Sequence, residues 1–60
     1  MNNHKWIYYE LDKFGYTYDD LSEYLGYATS TIYRYFEGTL KMPTEVLAQL
    51  LNLILIERKN

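Results

Sequence analysis

Few side chains in this 60-residue chain are typed and spaced for chemistry, and their pattern points to binding rather than bond-making. A nucleophilic triad needs a serine, a histidine to take its proton and a carboxylate to orient that histidine. The one histidine, His4, stands at an end expected to fray, and Ser30 has no other imidazole to pair with. Asp19, Asp20 and Glu23 fall close together, but without His or Cys among them they make a poor metal cage. A solvated helix face with cap duty accounts for them better. The chain has no cysteine, which removes thiolate metal sites and disulfides, and no glycine-rich phosphate loop. The expectation is no catalytic residue, no enzyme activity, no metal, no cofactor and no small-molecule ligand. What remains is a run of donors, Thr29, Ser30, Thr31, Tyr33 and Arg34, followed by Lys41.

The stretch that positions those donors runs from Thr17 to Gly38 and reads as two short helices joined by a tight turn. Thr17 fits an N-cap, with Asp20 three residues on in the place of a capping-box acid. Leu21 and Leu25 are four apart and share one face. Ser22 is small where a second helix crosses closely. Gly26 suits the left-handed backbone that ends a helix. Thr29, Ser30 and Thr31 offer hydroxyl caps to the next helix. Ile32 with Tyr35 or Phe36 gives that helix its buried side, and Gly38 closes it. The exposed face then carries Thr29, Ser30, Tyr33 and Arg34.

Before this pair, Asn3 can cap a helix over about 4–14 whose inward stripe is Ile7, Leu11 and Phe14, with Lys5 and Tyr8 off the stripe. Gly15 stops it. Trp6 reads as a core or interface aromatic. After the pair, Pro43 or Thr44 opens a last helix, where proline at the first position is tolerated. Glu45 at its start and Arg58 with Lys59 at its end suit the helix dipole. Its apolar residues from Val46 to Ile56 wrap most of the way round, so one side needs a partner. The helical period favours helix over a short strand at 53–56. The reading is all-α: a compact four-helix domain, residues 1–60, containing a helix-turn-helix, with Leu51, Ile54 and Leu55 at a dimer interface.

The pattern resembles the lambda Cro/repressor-like helix-turn-helix family of phage and bacterial regulators. The residues that carry it are Leu21, Ser22, Gly26 and Ile32, then F-E-G-T-L-K-M-P from Phe36 to Pro43. The likeness covers about residues 8–54. The Y-R-Y-F-E-G run is also similar to anti-CRISPR-associated repressors of the same fold. The resemblance implies that the second motif helix meets base edges with Thr29, Ser30, Tyr33 and Arg34. It places Tyr18, Thr31 and Lys41 at phosphates, with Tyr27 another hydroxyl nearby. Arg34 is the strongest of these, because its planar fork bonds O6 and N7 of guanine together. Two departures stand out. Many members place an acid where Phe36 stands, paired to an arginine of the first helix, and an aromatic cluster is expected here instead. The glutamine usual at the start of the reading helix is also missing, which leaves the base preference open.

Composition sets the limits of that reading. A chain this short buries only about 60% of its unfolded surface, so association is the remaining route to stability. Hydrophobic content of 48% with eight tyrosines excludes a disordered chain. The net charge of −2 is unusual for a nucleic-acid binder, whose phosphate contacts need cations. The acids Glu10, Asp12, Asp19, Asp20 and Glu23 precede Arg34 and Lys41, a dipolar arrangement. M-N-N-H-K-W has no leader-like apolar run, and Gln49 and Asn52 interrupt the C-terminal apolar stretch. A soluble cytoplasmic protein follows as the expectation, with no membrane partner. The function expected is a dimeric repressor of a phage or mobile-element promoter, bound to a near-palindromic operator in double-stranded DNA. The alternative is a protein-binding module on the same fold, an antirepressor or an inhibitor of a host enzyme.

Overall fold

A computed structural model describes residues 4–60, which form α1 (Lys5–Lys13), α2 (Tyr18–Leu25), α3 (Thr29–Glu37) and α4 (Thr44–Lys59). The expected Asn3 cap lies outside the described residues; the N-cap position of α1 is His4, which makes no side-chain cap bond. Ile7 and Leu11 are fully buried. Phe14 departs from the expected stripe: it is the C-cap residue of α1 and 40% exposed, because the helix ends before it can turn inward. Tyr8 departs the other way and packs on the core, since residues 7, 8 and 11 together form the wider apolar band of a globular helix.

α2 begins as expected. The Thr17 hydroxyl accepts from the Asp20 N–H at 3.1 Å, and the Thr17 N–H donates to the Asp20 carboxylate at 2.9 Å. Such a cap stabilises a helix by about 1 kcal/mol. Leu21 is fully buried. Gly26 ends the helix at φ 80°, and its N–H donates to the Ser22 carbonyl at 2.8 Å. A Cβ there would meet nothing within 4 Å, so the backbone angle and not crowding calls for glycine. The Ser22 hydroxyl donates to the Tyr27 carbonyl and pins the turn.

α3 starts without the hydroxyl cap expected from Thr29, Ser30 or Thr31. Ala28 takes the N-cap position, its carbonyl accepting from Thr31 and Ile32 at 3.0 and 3.1 Å. α3 begins at Thr29, so all three hydroxyl residues lie inside its first turn, past the N-cap position. Gly38 closes α3 at φ 86°. The Arg34 carbonyl then accepts from Gly38, Thr39 and Leu40 at 3.1, 3.2 and 3.3 Å, folding the loop back over the end of the helix.

Pro43 is the N-cap residue of α4, and 53–56 is helix rather than strand. Val46, Leu50, Leu53 and Ile54 are buried in the shared core, where α4 packs on α1, joined by Met42 from the loop. Surface ties complete the assembly. Tyr16 donates its hydroxyl to the Glu57 carboxylate at 2.6 Å, and Arg58 reaches Glu10 at 2.5 Å. Among the described residues no helix is long and apolar enough to cross a membrane.

Candidate nucleic-acid interface

α3 is gripped from below by three buried side chains: Ile32 and Phe36, each 1% exposed, and Tyr35 at 6%. At 3.6 residues per turn their positions turn Ser30, Tyr33 and Arg34 outward. Those three are exposed, Thr29 is exposed as the first residue of the helix although it lies nearly in line with Phe36, and Thr31 is half-buried. Three of the four sequence-predicted donors thus share the outward face, with Thr29 at its N-terminal edge. Among the described residues Arg34 forms no ion pair, while Lys5, Lys13 and Arg58 are engaged with Glu37, Glu10 and Glu10. Lys41 is also exposed and outside those pairs, beyond the C-terminal end of α3.

Tyr18 stands at the first position of α2, half-buried. Its ring is stacked on Tyr8 of α1 at 4.8 Å between centroids and 8° between planes. It meets Tyr33 of α3 edge-on at 5.8 Å. Phe36 lies beneath both, 5.6 Å from Tyr8 and 6.2 Å from Tyr18. The aromatic cluster expected in place of a buried ion pair is therefore present, and it joins α1, α2 and α3. Ring pairs at these separations contribute about 0.5–1.5 kcal/mol each beyond their buried area. Burial first, then the neighbouring phenols and Glu37, push the Tyr18 phenol above its ordinary range, so it holds its proton and remains a donor.

The acids divide. Glu10 accepts from Lys13 at 2.8 Å and from Arg58, and these bonds lower its pKa. Asp20 caps α2, while Asp12, Asp19 and Glu23 are exposed. Among the described residues no three His, Cys, Asp or Glu side chains are grouped to hold a metal ion.

The residues expected at a dimer interface do not share one environment. Ile54 is 4% exposed and belongs to the core, because it falls four residues after Leu50 on the inward face of α4. Leu51 is half-buried, and Leu55 is 55% exposed beside Ile56 at 46%. Trp6 is no core residue, at 54% exposed. Tyr24 and Tyr27 are exposed as well, and Tyr27 meets the buried Tyr35 edge-on at 6.1 Å. The ring contacts of Tyr8 and Tyr9 were not legible as part of a site. The only signal for Tyr8 was its place one residue after Ile7. No family model, curated protein or solved structure matches the chain.

Proposed function

We propose that this protein is a sequence-specific DNA-binding regulator, a dimeric repressor that occupies an operator and so needs no chemistry of its own. The observation that carries the reading is the outward face of α3. Ser30, Tyr33 and Arg34 stand exposed together on a helix held firmly from behind, with Thr29 exposed at its start and Arg34 unpaired among the described residues. Thr29 to Arg34 spans about 7.5 Å of helix axis. That length matches roughly two base-pair steps of duplex. The guanidinium fork suits guanine, and the threonine and serine hydroxyls suit several bases. Tyr18, Thr31 and Lys41 would hold phosphates around it, which sets register without reading sequence.

Dimerisation through the exposed end of α4, Leu55 and Ile56 with Leu51, would set two reading helices about 34 Å apart, one turn of duplex. A near-palindromic operator follows from that symmetry. A second reading is favoured by the exposed Asp12, Asp19 and Glu23 and the net charge of −2: a module that binds a basic protein partner.

A mobility shift on the DNA flanking the protein's own gene separates the two, with Arg34→Ala and Lys41→Ala run beside the unmodified chain. Arg34→Ala is expected to cost about 1–3 kcal/mol and relax preference at one base pair per half-site. Lys41→Ala is expected to weaken all sequences alike and flatten the salt dependence by roughly one unit per half-site. A folded Arg34→Ala dimer with unchanged affinity and preference would favour the protein-binding reading.

A further inference from the structure

We propose that Tyr8 and Tyr9 of α1 continue the phosphate contact of Tyr18, so that these three phenols, leading away from Tyr33 on the reading face, form an uncharged track for one strand's phosphodiester backbone. This rests on the DNA-binding reading above. The four rings make one unbroken line across three helices. Tyr33 meets Tyr18 at 5.8 Å, Tyr18 meets Tyr8 at 4.8 Å, and Tyr8 meets Tyr9 at 5.8 Å. The line starts on the reading face of α3, passes the N-terminus of α2 and ends on α1. Tyr9 and Tyr33, its two ends, are 58% and 50% exposed.

The hydroxyls are what the line offers. Among the described residues none of these four phenols donates or accepts a hydrogen bond, whereas the Tyr16 phenol is taken by Glu57. Nor, among the described residues, is any buried side-chain oxygen left unpaired, so the half-buried Tyr8 and Tyr18 reach solvent with their hydroxyls. The parallel stacking of Tyr8 on Tyr18 occupies ring faces that a base would need. Edges and hydroxyls remain, and a phenol O–H donating to a phosphate oxygen is the contact they suit. The charge inventory points the same way. Lys5, Lys13 and Arg58 are tied to acids, and Glu37, whose charge reaches Tyr18, is paired with Lys5 at 3.5 Å. Asp19, exposed beside Tyr18, opposes a phosphate, so neutral donors on either side of it must hold the strand.

The test uses Tyr8→Phe, Tyr9→Phe and the double variant, which keep every ring and its packing, with Arg34→Ala alongside. The probe is the duplex that the unmodified protein selects from random-sequence DNA, titrated by fluorescence anisotropy over a range of salt concentrations. Each Tyr→Phe change is expected to weaken binding roughly 2- to 10-fold, the worth of one net hydrogen bond. Preferred sequence and salt slope are expected to stay unchanged, because a neutral donor releases no counterion. Wild-type affinity in the folded double variant, while Arg34→Ala loses base preference, overturns the track and leaves the DNA-binding reading standing. A tighter grip on single strands than on the selected duplex also overturns it. If the unmodified protein selects no duplex, both fall together.

Discussion

Phe36 ties α3 to α1 and α2, and shortening it tests that role quantitatively. Its side chain is 1% exposed and lies under Tyr8 and Tyr18 at 5.6 and 6.2 Å. Truncation to alanine opens a cavity and costs about 3–5 kcal/mol. At roughly 0.05–0.15 kcal/mol per residue, a chain of 60 residues has about 3–9 kcal/mol in all. Phe36→Ala is therefore expected to lose between about a third and all of that stability. Phe36→Leu keeps most of the apolar volume and loses the two ring contacts, a cost of about 1–3 kcal/mol. In a domain of this size each kcal/mol lowers Tm by about 4–8 °C, so the leucine variant should melt roughly 4–24 °C below the unmodified chain. Thermal melts followed by circular dichroism at fixed protein concentration read both. An alanine variant that melts like the unmodified protein would refute the aromatic cluster as what holds α3 to α1 and α2.

Two further predictions concern α4 and its ties to α1. Glu10 has its pKa lowered first by the Lys13 hydrogen bond and then by Arg58, so its contribution is present above the ordinary carboxylate range and is lost as pH falls through the depressed folded value. Urea melts of Glu10→Gln and the unmodified chain should differ near neutral pH and converge in acid; a gap that widens in acid would contradict the pairing. Leu55→Asp is expected to give a folded monomer by ultracentrifugation where the unmodified chain sediments as a dimer at tens of micromolar, since Leu55 is 55% exposed in the protomer. Ile54→Asp should instead unfold the chain, because that side chain is in the core. A monomeric unmodified protein would remove the α4 interface.

The features legible in the sequence are those fixed by neighbours in the chain. The Thr17–Asp20 capping box needs only a hydroxyl and an acid three residues apart, and it is present. Gly26 and Gly38 mark helix ends because positive φ is a local demand. Ile7, Leu11, Leu21 and Ile32 are buried where helical periodicity places them. The misread positions depend on what another element does. Phe14 continues the period of α1 but lies one residue past its end. Ile54 looks like surplus apolar surface until the core formed with the other helices covers it. Tyr8 joins the core only because Tyr18 and Phe36 arrive from two other helices. At the candidate site, the exposure of Ser30, Tyr33 and Arg34 followed from the burial of Ile32, Tyr35 and Phe36, and that of Thr29 from its place at the start of the helix. The line of tyrosines did not, since it is assembled from three helices and has no spacing in the chain.

The central claim is that α3 reads duplex sequence, and the most direct measurement is selection from a random-sequence duplex library by the folded protein. The account predicts enrichment of a site with two inverted half-sites whose centres lie about 34 Å apart, one helical turn. It also predicts that repeating the selection with Arg34→Ala relaxes one base pair in each half-site. A protein shown by circular dichroism to be folded that enriches no sequence above the input library would contradict it.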